Sequence, residues 1–195
     1  MKTQENLTIE QILELFNHIL QQFYRVIDYQ TLYKIHINDK RILRRDDFWM
    51  RYREAMEYTS INELYKLIDE KSISIFYLLD VIHNNIRWFD KITVDELKVD
   101  INTIRNHVSF SKIRKYRNNK SSHMTDGYLS WKTNCLKNIT FPFDEANELT
   151  RICIVILNKY GKSFLPCPTQ YLNPKLANGK IVEDGYNKMI NSLLQ

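Results

Sequence analysis

The apolar residues near the start of the chain recur at intervals of three and four, and this period constrains the fold more than any other feature. They form one stripe over residues 9–27: Ile9, Ile12, Leu13, Phe16, Ile19, Leu20, Phe23 and Ile27. A period close to 3.6 is typical of a helix with one face in a core, and Thr8 is a suitable N-cap. Only four Gly and four Pro occur in 195 residues, which favours helices over many short strands.

The same period predicts a second helix over about 48–69, with Asp46 or Asp47 as its cap. Residues 29–37 either prolong the first helix or begin another. The cation-rich run that follows them, at 38–45, is typical of a solvated face or loop. The stripe of the second helix is expected to be core or helix-packing surface: Trp49, Tyr52, Ala55, Met56, Ile61, Leu64, Tyr65 and Ile68.

Capping signals place the later helices. Ser72 or Ser74 begins an apolar segment that ends near 84–85, and residues 87–89 form a turn with an aromatic anchor. Thr93 with Glu96 fits a capping box and predicts a helix through Leu97, Ile101, Ile104 and Val108; whether it continues past 109–111 to Tyr116 stays open. The segment 144–160 has an acidic start and Gly161 as a stop. A final short helix is expected near 183–194.

These elements predict an all-α fold with four or five main helices in one domain, residues 1–195. Its core spans about 8–161, and an irregular C-terminal extension covers about 162–195. The three cysteines, Cys135, Cys153 and Cys167, show no CxxC spacing and fit reduced thiols, with Cys153 in the core. There is no apolar signal segment and no stretch near the roughly 20 residues that span a bilayer. We therefore expect a soluble, cytoplasmic protein with no membrane association.

A basic stretch at 112–128, KIRKYRNNKSSHMTDGY, is the strongest functional signal. It contains five cations, and no acidic residue precedes Asp126. The net charge of the chain is +5 at pH 7, which alone indicates an anionic partner only weakly. No GxGxxG or GxxxxGK phosphate loop, HExxH or paired CxxC metal motif, or G-x-S-x-G elbow occurs. An enzyme of this sequence is thus predicted to need no metal and no cofactor.

Within this stretch, Arg117 and His123 fit the pattern R-x(4–6)-H, with the polar Asn118 directly after the arginine. In an all-helical chain, after a capped helix, the segment resembles the HEPN superfamily (higher eukaryotes and prokaryotes nucleotide-binding domain). The likeness is greatest to the abortive-infection branch, whose typical segment reads like lRkyRNk-x-x-AH-x-D. The order of the predicted helices resembles that of the family over most of the chain. The amino-acid sequence resembles it closely over about a dozen residues only.

The resemblance implies an antiparallel helical bundle that forms a homodimer and places two motifs in a shared cleft. Many members are metal-independent endoribonucleases that act as toxins or in abortive infection and antiviral defence, and some are restrained by a partner nucleotidyltransferase. Arg117 would bind phosphate oxygens, and His123 would act as general acid or base for attack by the RNA 2′-hydroxyl. Asn118 would orient His123 or bind the phosphate.

Three more cations, Arg114, Lys115 and Lys120, are expected to hold the RNA backbone. In a straight helix, positions 117 and 123 lie about 120° apart around the axis and about 9 Å apart along it. We therefore expect the helix to bend or end between them, or groups from two chains to meet.

Three alternatives to catalysis stay open. Ser122 stands where the abortive-infection branch usually has alanine, and Asp126 lies one place later than its usual acidic residue. These departures allow a non-catalytic HEPN-like module that binds nucleotide, RNA or a protein partner. The stretch also fits the solvated end of an amphipathic helix. A helical interaction protein with no nucleic-acid role is the third alternative.

Overall fold

Seven α-helices form a bundle in a computed structural model that describes residues 7–42, 47–125, 142–165 and 179–193, with the backbone alone at 42, 47, 119–125, 179–181 and 193. The predicted all-α fold is confirmed. Short 3-10 turns occupy Lys40–Ile42 and Ile86–Trp88. The helices are α1 Ile9–Asn38, α2 Asp47–Ile68, α3 Ile75–Asn84, α4 Val94–Arg105, α5 Val108–Thr125, α6 Phe143–Ser163 and α7 Gly179–Leu193.

The first helix, α1, is the element against which α2, α3, α6 and α7 pack. Its predicted stripe is confirmed, since Ile12, Phe16, Ile19 and Phe23 are buried. The Thr8 hydroxyl accepts a hydrogen bond from the backbone of Gln11, whose side chain accepts one from the Thr8 backbone. This reciprocal cap satisfies two donors that a helix start leaves unpaired. Residues 29–37 prolong the helix rather than begin another.

Of the two predicted caps of the second helix, Asp47 is its first helical residue, and Asp46 lies outside the described residues. Ile61, Leu64 and Ile68 are buried as expected. Ala55 is exposed, and its assignment to the apolar stripe was wrong. A single small side chain adds little to a hydrophobic period, so its spacing alone did not show which way it faces.

The fourth helix ends earlier than predicted. The Thr93–Glu96 capping box is present, but α4 ends at Arg105, and Val108 begins α5 instead of extending α4. The break occurs at 106–107, before the serines. There the His107 ring nitrogen Nδ1 accepts a hydrogen bond from the Ser109 backbone at 3.3 Å, so a side chain supplies a partner at the new helix start.

The sixth helix continues through Gly161 to Ser163, so the predicted glycine stop was wrong. Gly161 is buried within the helix, and no described glycine has a positive φ. The chain then joins the turn after α3, where Phe89 and Phe164 form an antiparallel bridge with ring centroids 5.0 Å apart. The expected aromatic anchor is thus Phe89. Cys153 lies fully buried in α6, and burial raises the pKa of its thiol.

The last helix, α7, begins at Gly179 and packs on α1, so the C-terminal extension ends in a longer helix than predicted. The Tyr186 hydroxyl lies 3.1 Å from Nδ1 of the buried His36, whose Nε2 lies 3.3 Å from the Trp49 carbonyl oxygen. Because a carbonyl only accepts, Nε2 donates to it, and Tyr186 donates to Nδ1. Arg41, from the predicted cation run, donates to side chains of α7.

Among the described helices, none combines the length and the apolar character that crossing a bilayer requires.

Candidate nucleic-acid interface

The helix that carries most of the basic stretch, α5, packs between α2 and α6. Its inner face is formed by Ser109, Ile113 and Tyr116, which are buried at spacings of four and three. Arg114 and Lys115 are exposed, and neither forms an ion pair within the described residues. The helical period therefore separates a face held in the bundle from a cationic face in solvent.

Below this surface, α5 is held to α2 by a buried polar contact. The Tyr116 hydroxyl donates to Oε2 of Glu57 at 3.1 Å, and both residues are more than nine-tenths buried. Burial, reinforced by the Glu57 charge, raises the pKa of Tyr116 and raises that of Tyr33 on α1 to about 12. Nε of Arg53 lies 3.8 Å from the other Glu57 oxygen. One carboxylate thus interacts with side chains of α1, α2 and α5.

Arg117 lies beside this contact at the edge of the exposed face. Its guanidinium carbon lies over the ring of Tyr65 on α2, 4.8 Å from the ring centroid. Nη1 of Arg117 also donates to the Asn118 side-chain oxygen at 3.1 Å. Arg117 is partly buried and Asn118 is exposed. The two predicted site residues are therefore in contact, and an aromatic ring restricts where the arginine lies.

Lys112, at the start of the basic stretch, has a different role from Arg114 and Lys115. Its ammonium group forms an ion pair with Glu145 in the first turn of α6. This contact is the main reason that the pKa of Glu145 is below its ordinary value. Lys112 thus joins α5 to α6, and the exposed cations of this stretch that form no ion pair with a described residue begin at Arg114.

The remaining predicted site residues, Lys120 and His123, lie on the backbone of α5, and their side chains lie outside the described part of the chain. The helix is continuous from Val108 to Thr125, so the expected break between positions 117 and 123 was wrong. Asn and Ser lower helix propensity by less than about 0.7 kcal/mol each, which did not interrupt the backbone here. Within one chain, the helix holds these positions about 120° apart around its axis.

Two residues of this region were not recognised from the sequence as parts of a site. Tyr65 was assigned to the packing stripe of α2, and nothing in its spacing indicates an arginine on its ring. Glu57 had a detectable signal, because it precedes the buried Ile61 by four residues and Leu64 by seven. A carboxylate at that spacing lies on the apolar face, where it needs a hydrogen-bond donor.

In the described parts of the chain, no group of three or more His, Cys, Asp or Glu side chains is arranged to hold a metal ion. Comparison of the chain with protein-family models, with curated proteins and with solved structures gave no match.

Proposed function

We propose that this protein is a metal-independent endoribonuclease of the HEPN type, which acts as a homodimer in toxin–antitoxin or antiphage defence. The observation that carries the proposal is the arrangement of α5: Arg114 and Lys115 are exposed, Arg117 lies at their edge, and position 123 follows on the same unbroken helix. An antitoxin such as a minimal nucleotidyltransferase would restrain the activity.

In the proposed reaction, Arg117 donates charge-assisted hydrogen bonds to the phosphate and stabilises the negative charge that develops there. The RNA 2′-oxygen attacks phosphorus, and the bond to the 5′-oxygen breaks. The proton lost from the 2′-hydroxyl is balanced by one gained at the 5′-oxygen, with His123 as acid or base. The products are a 2′,3′-cyclic phosphate and a 5′-hydroxyl, and no water is consumed.

Because α5 is continuous, the proposed site has to be shared between the two protomers of a dimer. Because positions 117 and 123 of one chain point about 120° apart, Arg117 of one protomer acts with His123 of the other. Arg114, Lys115 and Lys120 bind the flanking phosphates. Their contribution to RNA affinity is expected to weaken with salt, as counterions compete for the phosphates.

Mixing two inactive variants tests the shared site. Arg117→Ala and His123→Ala are each expected to abolish cleavage of RNA and growth inhibition in bacteria. A mixed dimer of the two variants rebuilds one intact site from the two unsubstituted residues, so randomly exchanged protomers should recover about a quarter of wild-type activity. Lys98→Ala, an exposed cation on α4, is the control and should stay fully active.

Two results would overturn this reading. If folded Arg117→Ala and His123→Ala proteins both cleave RNA and inhibit growth like the wild type, the catalytic assignment is wrong. If each variant is inactive and the mixture stays inactive after protomer exchange, the two residues do not act across a dimer.

The contacts of Arg117 also favour a second candidate function, a non-catalytic module that binds RNA, nucleotide or a protein partner. A guanidinium that lies over Tyr65 and bonds to Asn118 is restricted in its motion, which suits binding as well as catalysis. This function predicts salt-dependent RNA binding without cleavage. Reversing Arg114 and Lys115 to Glu should abolish that binding, whereas a helical interaction protein would show none in the parent.

A further inference from the structure

Helix α2 contacts two consecutive residues of the motif, and it does so with different chemistry. Glu57 accepts the hydroxyl hydrogen of Tyr116, which helps fix the rotation of α5. Tyr65, eight residues further along α2, contacts the guanidinium of Arg117 through its ring. The Glu57–Tyr116 contact orients α5, whereas the Tyr65–Arg117 contact restricts the position of a single side chain, that of Arg117.

The ring of Tyr65, rather than its hydroxyl, makes the contact. The hydroxyl forms no hydrogen bond to any described residue, and Tyr65 is only partly buried. The contact with Arg117 should therefore survive loss of the hydroxyl and disappear with the ring.

An aromatic ring suits this position because it restrains a guanidinium without neutralising it. A carboxylate in the same place would compete with a phosphate for the charge and for the N–H donors of Arg117. The ring attracts the cation through its quadrupole and adds no net charge. Arginine loses side-chain freedom when it binds a ligand, and a ring that already limits its positions reduces that loss.

From this geometry we propose that Tyr65 is a positioning residue for Arg117, and that it holds the guanidinium where a phosphate of single-stranded RNA binds. This role rests on the proposed function, because it requires Arg117 to contact RNA. It requires no cleavage, so binding alone can reveal it.

A double-mutant cycle with matched variants tests the role. Tyr65→Phe keeps the ring, whereas Tyr65→Leu and Tyr65→Met keep an apolar side chain without it. Each would be made with and without Arg117→Ala. Tyr58→Leu, at another partly buried tyrosine of α2, is the control, and circular dichroism and thermal melting show that the variants are folded.

The first readout is the dissociation constant for an RNA oligonucleotide methylated at every 2′-oxygen, which cannot undergo 2′-hydroxyl attack. The second is the single-turnover rate on the unmodified oligonucleotide. Tyr65→Leu and Tyr65→Met should each weaken binding by more than about twofold and up to about thirtyfold, the range that a cation–π contact supports, and should slow cleavage. Tyr65→Phe should stay within about twofold of wild type. In the Arg117→Ala background, loss of the ring should have no further effect on the dissociation constant.

The outcomes separate the two proposals. If the wild type binds RNA without cutting it, and loss of the Tyr65 ring weakens binding only when Arg117 is present, the role of Tyr65 is supported and the endoribonuclease proposal is refuted. If the wild type cleaves RNA but Tyr65→Leu and Tyr65→Met bind like wild type, or weaken binding equally without Arg117, only the role of Tyr65 is refuted. A wild-type protein that neither cuts nor binds either oligonucleotide refutes both.

Discussion

Two buried tyrosine hydroxyls, those of Tyr116 on α5 and Tyr186 on α7, each join a helix to the bundle through a different kind of acceptor. Both tyrosines are about 2–3% exposed, and both hydrogen bonds measure 3.1 Å. Tyr116 donates to the carboxylate of Glu57, whereas Tyr186 donates to the neutral ring nitrogen of His36. Donor, burial and distance are nearly the same, so the two contacts differ mainly in the acceptor, and the Asp39 carboxylate also acts on the Tyr186 hydroxyl.

The carboxylate makes the α2–α5 contact the stronger of the two. A hydrogen bond to a charged group contributes more than one between neutral groups, and a buried charge that loses a donor is costly. The helix held in this way is the one that carries Arg117. We infer that α5 is the more firmly fixed helix, and that α7 is held by a contact that pH can alter.

The largest effect is expected from Tyr116→Phe, which removes the hydroxyl donated to Glu57 and keeps the ring in the core. The free energy of unfolding should fall by about 1.5–3 kcal/mol, because a buried carboxylate loses a donor. Urea denaturation measures this change. Tyr77→Phe on the outside of α3, where Tyr77 is 36% exposed, is the control and should change stability by less than about 0.5 kcal/mol. A cost no larger than that of the control would show that the contact does not stabilise the fold.

A smaller effect is expected from Tyr186→Phe, the same substitution at the neutral acceptor. The free energy of unfolding should fall by about 0.5–1.5 kcal/mol, as for a hydrogen bond between uncharged groups. The Asp39 carboxylate also interacts with the Tyr186 hydroxyl, but it keeps its donors from Arg41, so its charge stays paired. The comparison would fail if this variant lost as much stability as Tyr116→Phe in the same urea experiment.

The helices could be predicted from the sequence because their signals are local. Apolar periods and capping residues act within a few positions, so the α1 stripe, the Thr93 cap and the start of α3 after Ser74 all agree with the structure. Stop signals were less reliable. Gly161 lies inside α6 because a glycine costs only about 1 kcal/mol there, less than the burial of large apolar side chains further along the same segment, such as Phe164, can supply.

The candidate site was only partly predictable, because its contacts join distant parts of the chain. Arg117 and Asn118 are neighbours in sequence, and their contact is local. Tyr65 is 52 positions before Arg117, and the Glu57–Tyr116 pair is separated by 59. Which side chains meet across two helices depends on how the helices are rotated and how far they slide past each other. Neither quantity can be read from the period of a single helix.

The smallest effect is a shallow pH dependence at the α1–α7 contact. Burial, with a smaller effect from Arg53, lowers the pKa of His36 despite the opposing Trp49 carbonyl and Asp39. The unfolded chain then binds more protons than the folded one as pH falls from near 6.5 toward the lowered folded value. Stability is therefore fully present above about pH 6.5 and decreases through that window. Urea denaturation at a series of pH values should show this decrease in the wild type.

The His36→Gln variant should lack this pH-dependent part of the stability. The difference between the free energies of unfolding of the wild type and the variant should therefore narrow as the pH falls. His18→Gln, an exposed histidine on the same helix, serves as the control and should keep the wild-type slope. A His36→Gln curve parallel to that of the wild type would contradict the assignment. A Tyr116→Phe protein keeps His36 and its contacts with Trp49 and Tyr186, so it should keep the wild-type slope near pH 6, which distinguishes the two contacts by pH as well as by strength.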